Sequence, residues 1–321
     1  MNTVEVLVVG GGGYGGSNGG GGGGGGGLLY EAAHAVTVKE YHVVVGVGSQ
    51  DSVFDTLVAK AGGHGANRDY VAPASIGGSG GGGANYWTNG GSALGADGIA
   101  GQGHAGGDHI GRNQEGGGSG GGGGGAGAPG GDSNVGVAGA GGDGVECSIS
   151  GTAVYYAGGG GGGVTIAGTI GAGGQGGGGH GGNNTNNETP GTPHTGGGGG
   201  GGGHGLQGGS GIVIIRYLTG SLLGVGGTIT VDGLYTIHTF TVSAYFTVYL
   251  PMLAAINIAD TWKAIKWGAS RLNVAHAWRV ISALYINEGN AWKQIYPLFL
   301  MLEDRSHVLL ESGDKIVMED Q

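Results

Sequence analysis

Long unbroken runs of glycine constrain what this chain can fold into more than any other feature. Gly19–Gly27 is nine residues long, and further runs lie at Gly10–Gly13, Gly80–Gly83, Gly120–Gly125, Gly158–Gly163, Gly176–Gly179 and Gly196–Gly203. Of the 321 residues, 90 are glycine, and 82 of those fall within residues 10–211. Glycine loses more backbone entropy on folding than any other residue, so tracts of this kind are ordinarily disordered. Two apolar segments that bracket the block argue for order. Val4–Val9 (VEVLVV) leads in and Ile212–Tyr217 (IVIIRY) leads out. Both are rich in β-branched residues and abut glycine, which marks them as strands.

Few regular structures suit glycine alone. A helix costs about 1 kcal/mol per glycine relative to alanine. A sheet has no side chains to pack. The remaining choice is the extended helix with three residues per turn, which makes no internal hydrogen bonds and points each N–H and C=O outward. Many such segments, bare of side chains, can pack closely and bond backbone to backbone as a polyglycine II bundle. The expected fold is therefore all-β with an irregular glycine-rich region. A polyglycine II bundle at 10–211 is inserted in a jelly-roll-like β-sandwich frame spanning 1–250. The segment Thr236–Val248 is expected to complete the sheet begun by Val4–Val9, within one chain or with a neighbouring subunit.

A short repeat follows. Asn257 to Ile265, Asn273 to Ile281 and Asn287 to Ile295 share the template Asn-x4-Trp-(Lys/Arg)-x-Ile, with tryptophans at Trp262, Trp278 and Trp292. Each copy reads as two short strands around a turn, so 251–297 forms a β-repeat region. Repeats this small bury a core only by stacking or oligomerising. Residues 298–321 carry six acids against two bases and read as a strand tail whose charges discourage further pairing.

Composition excludes several classes. Collagen needs glycine at every third position and abundant proline, whereas the chain has 6 prolines and blocked glycine. There is no apolar stretch of the ~20 residues that a membrane span requires, and Met1–Gly10 lacks the basic start of a secretory signal. The single Cys147 rules out a disulfide within the chain and reads as a buried thiol. A net charge of −10 disfavours nucleic acid. Matches to GxGxxG arise from composition alone and open no helix, and there is no GK[ST]. His104, His109 and Asp108 are the closest potential ligands, without metal spacing. No catalytic pair stands out, so neither enzyme activity nor a cofactor is expected.

The pattern VEVLVVGGGG, a glycine-rich insert and then GGSGIVIIRY, followed by TITVDGLYTIHTFTVSAYFTV at Thr228–Val248, resembles the glycine-rich modules of tailed-phage fibre and adhesin proteins. The tryptophan-lysine repeats and the chain end resemble parts of phage structural proteins. The resemblance implies a tip adhesin in which turns between polyglycine II helices bind a bacterial surface glycan or outer-membrane protein. It also implies location in the virion, and assembly as a trimer, a polymer or with other tail proteins, without membrane insertion. A related bundle occurs in the ectodomain of lymphoma-kinase-type receptors, whose cysteines, kinase and membrane span are lacking here.

Polar and aromatic residues between the glycine runs are the candidate contacts, because such side chains on rigidly held loops make adaptable surfaces. They are Tyr86, Trp87, Asn89, His104, His109, Arg112, Asn113, Tyr155, Tyr156, Asn183, Asn186 and His194. Candidates for assembly are Val4, Val6, Val8, Ile237, Phe240, Phe246, Trp262, Trp278 and Trp292. The expected function is receptor recognition by a phage tail-fibre or tip protein. The alternative is a self-assembling subunit of a virion or extracellular fibre joined by strand pairing. Ice binding by a flat glycine face fits poorly, since it leaves the large loops and the tail without a role.

Overall fold

In the computed structural model, the two apolar segments that bracket the glycine block lie side by side. The structure describes residues 2–68, 72–85, 92–110, 118–165, 168–183 and 187–249, and the backbone of eight short strands within 254–319. The first strands are β1 (Asn2–Val9), β2 (Leu28–Val36), β3 (Glu40–Val44), β4 (Ser52–Phe54) and β5 (Leu57–Ala59). Within the glycine block, β6 (Ala84–Asn85) pairs with β7 (Ser92–Ala93), and β8 (Val145–Cys147) with β9 (Val154–Tyr156). Then come β10 (Ile212–Leu218), β11 (Leu223–Val225), β12 (Thr228–Asp232), β13 (Tyr235–Phe240) and β14 (Ala244–Tyr249). Among the described residues there is no helix.

Two five-stranded antiparallel sheets form a sandwich, in the orders β12-β13-β10-β1-β2 and β11-β14-β3-β4-β5. Val4, Val6, Val8, Val213, Ile215 and Phe240 of the first sheet pack against Tyr41, Val43, Phe54, Phe246 and Val248 of the second. The opposite face of the first sheet is also covered. Leu7, Val9, Ile212, Ile214 and Ile237 pack against Ile149, Tyr156 and Ala157 of the β8–β9 hairpin and its flank. A strand buried on both faces reads as a continuous apolar run, which explains VEVLVV and IVIIRY. At the edge of this second core, Glu5 and Arg216 face each other across β1 and β10. Arg216 donates two hydrogen bonds to the Glu5 carboxylate, at 2.6 and 3.2 Å, and Tyr30 donates a third at 2.8 Å.

The expectation that residues 236–248 lie in one sheet with Val4–Val9 holds for half of that segment. β13 joins the sheet of β1, but beside β10, and β14 crosses to the second sheet. Both are paired within the chain. The assembly candidates Val4, Val6, Val8, Ile237, Phe240 and Phe246 are accordingly buried in this chain's own cores.

The sandwich hands its register to the glycine block. Val9 of β1 stands opposite Leu28 of β2, and then the Gly10, Gly13 and Gly16 amides donate to the Gly27, Gly24 and Gly21 carbonyls. On the other side Val9 stands opposite Ile212, and the Gly12 and Gly15 amides donate to the Gly209 and Leu206 carbonyls. The ladder continues in the same register, but successive bonds to one neighbour are now three residues apart.

That spacing of three governs the interior. From Gly21, Gly24 and Gly27, amides donate to Ala66, Gly63 and Lys60; from Gly22 and Gly25, to Gly121 and Gly124; from Gly23 and Gly26, to Gly199 and Gly196. Carbonyls of the same segment accept from three further neighbours, around residues 10–16, 79–82 and 160–163. Gly120–Gly125 repeats the pattern, donating in turn to segments 160–163, 80–83 and 128–131. A Cβ added at Gly21, Gly22, Gly24 or Gly26 would collide with the backbone carbonyl of Gly82, Gly160, Ser79 or Gly10 respectively. Segments surrounded on every side must therefore be glycine. Where a segment faces solvent, side chains return, as at Tyr14, His64, His104 and His180, all exposed.

One buried polar group in the sandwich has a fixed protonation. His238 lies in β13 at 0 % exposure. Its Nδ1 donates to the Gly226 carbonyl at 2.7 Å, so its Nε2 accepts from the Tyr217 hydroxyl at 2.9 Å. The Tyr217 oxygen in turn accepts from the Gly224 amide. Burial pushes the Tyr217 hydroxyl up to about 12 and pulls His238 below its ordinary value of 6.5.

Downstream, each copy of the tryptophan repeat is a hairpin. β15 (Ala254–Ile258) pairs with β16 (Thr261–Ile265), β17 (Arg271–Val274) with β18 (Ala277–Val280), and β19 (Tyr285–Glu288) with β20 (Ala291–Gln294). The template asparagine stands across from its tryptophan in all three: Asn257 and Trp262, Asn273 and Trp278, Asn287 and Trp292. β21 (His307–Glu311) and β22 (Lys315–Glu319) form a fourth hairpin.

Two outcomes are expected. Gly22→Ala, which drives a Cβ into the Gly160 carbonyl, should cost about 3 kcal/mol or more, the upper range for overpacking. Gly131→Ala, whose Cβ meets its first neighbour at 3.2 Å, should cost far less; denaturant titration of both variants checks this. For His238, the unfolded chain takes up a proton near pH 6.5 while the folded chain resists it. Stability from this site is complete above that pH and is lost as pH falls below it. Calorimetric melting from pH 8 to pH 5 should therefore show a steeper decline in the parent than in His238→Gln, and equal slopes would contradict the assignment.

Candidate functional site

The turns between glycine segments sort to two ends. At the end away from the sandwich, called distal here, the first hairpin turns at Ser17–Gly20. The Ser17 amide donates to Asn67 Oδ1 at 2.8 Å, and the Gly19 amide to the Gly202 carbonyl at 3.0 Å. The Gly163 amide donates to the Gly20 carbonyl, and the Val164 amide to that of Gly182. Gly118 and Thr165 bond reciprocally, through the Gly118 amide to Thr165 Oγ1 at 2.8 Å and the Thr165 amide to the Gly118 carbonyl at 2.9 Å. The His204 amide donates to Glu188 Oε1 at 2.9 Å. The ends of at least five excursions from the sandwich are thus tied together here: those at residues 17–20, at 67, at 118 with 164–165, at 182 and 188, and at 202–204.

The other end abuts the sandwich. Gln102 accepts from the Leu28 amide through its carbonyl, and the Ala157 amide donates to the Thr195 carbonyl. The Gly144 amide donates to the Gln175 carbonyl, and the His194 amide to Ser210 Oγ.

The candidate contact residues divide accordingly. Asn183 is distal, with its amide held by Asn187 Oδ1 at 2.8 Å. His104, Tyr155 and His194 belong to the sandwich end. The His104 amide reaches the Gly125 carbonyl, Tyr155 lies in β9, and His194 Nδ1 is 3.0 Å from Ser210 Oγ. His109 and Tyr156 are buried, at 3 % and 4 % exposure. His109 Nδ1 is 2.9 Å from Ser133 Oγ, and Tyr156 fills the core beneath the first sheet, so neither faces a ligand. Tyr86, Trp87, Asn89, Arg112, Asn113 and Asn186 lie outside the described residues. The segments carrying the first three leave and re-enter at the paired Asn85 and Ser92. Trp262, Trp278 and Trp292 lie in β16, β18 and β20, and only their backbone is described. Cys147 is half-buried against the second core.

Polar side chains between the runs mostly serve backbone amides. Asp108 Oδ1 accepts from Gly95, Asp132 Oδ1 from Asp108, Asp143 Oδ1 from Gln175 and Thr189 Oγ1 from His180, each at 2.8 Å. Asp108 and His109 thus have structural partners of their own. Among the described residues, no three acidic, histidine or cysteine side chains gather as metal ligands. Glu188 and Asn67 were not legible as tethers, because their partners are backbone groups remote in sequence. The sequence also gave no sign of the frame's other ionic cluster. His34 is held between Glu31 at 2.8 Å and Asp55 at 3.3 Å, with Lys39 on Asp55 at 3.1 Å. Burial opposes ionisation of Asp55, but hydrogen bonds from Lys39 and His34 outweigh it and hold its carboxyl below the usual range.

A family model described as a glycine-rich domain matches residues 1–218. No curated protein and no solved structure matches the chain. The matched span ends with β10, so it takes in β1 to β10 and leaves out β11–β14, which this chain uses to complete both sheets.

Burial separates structural from available side chains. Tyr156→Ala should cost about 3 kcal/mol, as for other large buried aromatics. His104→Ala, at an exposed site, should stay within about 0.5 kcal/mol of the parent. Chemical denaturation of the two variants tests the assignment.

Proposed function

The chain belongs to the glycine-rich domain family, and on that premise we propose that it is a non-catalytic adhesin of a phage tail fibre or fibre tip. It would bind a bacterial surface glycan or outer-membrane protein through the distal turns. The glycine segments act as a polyglycine II bundle carried by a jelly-roll-like sandwich. The spacing of three between bonds to one neighbour supports that geometry, because an extended helix with three residues per turn presents its peptide groups in three directions.

The observation that carries the functional reading is the convergence of turns at the distal end. Several connections remote in sequence share that end and are cross-linked to one another by backbone–backbone and backbone–side-chain hydrogen bonds. Loops ordered in advance bind without paying the entropy of ordering them, and binding residues concentrate on loops held by a stiff scaffold. The segments rich in aromatic, asparagine and arginine residues, 86–89 and 112–113, are the proposed contacts, and Asn183 and Asn186 are proposed with them. His104, Tyr155 and His194 are set aside as contacts because they belong to the sandwich end.

The test is binding of the labelled full chain to a panel of bacterial cells, lipopolysaccharide and outer-membrane preparations. Replacing 86–90 with a glycine-serine sequence of equal length should abolish binding while leaving the melting temperature unchanged. His194→Ala should leave binding intact. Retained binding after the turn exchange, or no binding by the parent across the panel, would overturn the reading.

A further inference from the structure

The two sheets expose four edges, and three of them are protected. β5 is capped by one side chain: Gln102 Nε2 donates to the Val58 carbonyl at 3.1 Å, and the Lys60 amide donates to Gln102 Oε1 at 2.8 Å. Gln102 thereby imitates a neighbouring strand. β2 is broken by a register shift where it passes Val4 and Val6, and its Leu28 amide is taken by the Gln102 carbonyl. β11 is three residues long. Bulges, covering groups and short length are the devices that stop an edge from recruiting another strand.

Among the described residues, β12 has none of them. It pairs in unbroken register with β13, from Thr228 opposite Thr239 to Asp232 opposite Tyr235, and all five of its residues are exposed. Its sequence TITVD contains no lysine and no proline. Ile229 and Val231 are 47 % and 66 % exposed. Ile229 stands opposite His238, whose ring packs on Phe246 of the second sheet, so Ile229 and Val231, two residues apart, lie on the face that looks toward that sheet.

We propose that β12 is a dimerisation edge, paired antiparallel with β12 of a second copy of this chain. The strand is complementary to itself. Pairing centred on Thr230 sets Ile229 against Val231 of the partner subunit, and Val231 against Ile229 of the partner subunit. It sets Thr228 against Asp232 of the partner subunit, so a hydroxyl meets a carboxylate. In this register no two acids face each other across the pair, despite the chain's net charge of −10. The two first sheets then run on as one, and the contact closes on a twofold axis, which gives dimers rather than filaments. The inference is independent of the receptor reading: a monomer could still bind cells, and a dimer need not.

Sedimentation velocity of the full chain over a concentration series tests it, with hydrogen exchange of the Ile229 and Val231 amides, which face away from β13, as a second readout that needs no variant. The expected result is a monomer–dimer equilibrium in which those amides gain protection as dimer accumulates. Val231→Lys should weaken dimerisation roughly tenfold or more, and Ile229→Pro, which removes an amide facing away from β13, should do the same. Val242→Lys, at another exposed apolar site, should leave dimerisation unchanged, and all three should melt as the parent does. A chain that stays monomeric, a trimer, or a dimer with unprotected β12 amides overturns the proposal. So does a dimer indifferent to Val231→Lys.

Discussion

Everything in this molecule rests on backbone hydrogen bonds between extended segments packed so closely that no Cβ fits between them. The carbonyl oxygens of Gly82, Gly160, Ser79 and Gly10 occupy the space where side chains on the central Gly19–Gly27 segment would be. In an ordinary domain, side chains supply the burial that outweighs chain entropy. Here the centre has none. Each bond contributes about 1 kcal/mol net, and ordering each residue costs a similar amount or more. Such a bundle gains little by itself, which explains why it grows from a sandwich with a conventional apolar core.

The sandwich contributes register as well as stability. β1 is flanked by β2 and β10, and both pairings continue past Val9 into glycine without a slip. The first and last glycine segments are thereby fixed relative to one another before the intervening ones are placed. Covering both faces of the β1–β10 pair, with Phe54 and Phe246 above and Ile149 and Tyr156 below, holds that junction in place. A chain without side chains has little else to specify which carbonyl pairs with which amide, since every glycine offers the same groups.

The same arrangement separates two kinds of polar residue that look alike in the sequence. Asp108, Asp143, Thr189 and Glu188 accept from backbone amides and stitch segments together. His109 is spent on Ser133 inside the bundle. The turns at the distal end are the surface proposed for contact with a partner. The free β12 edge is a separate surface, on the sandwich.

Much of the fold was legible in the residues. The β-branched runs at Val4–Val9 and Ile212–Tyr217 marked the frame, and the glycine runs required close backbone packing, because sterics alone leave that as their use. The Asn-x4-Trp template marked three units, and each forms a hairpin with those two residues opposed. Other features could not be read. Tyr155 and Asn183 sit in similar polar interludes, yet they belong to opposite ends, because direction reverses with every excursion and composition does not record it. Phe240 and Phe246 are six residues apart but lie in different sheets, since a turn of either geometry fits the intervening residues. The sequence by itself determined that the chain has a β frame and a block that must pack backbone to backbone, as both follow from which atoms each residue lacks. Only the tertiary structure decided which segments are neighbours and which turns share an end. Those depend on hydrogen bonds between chemically identical groups, and only the register set by the sandwich distinguishes one from another.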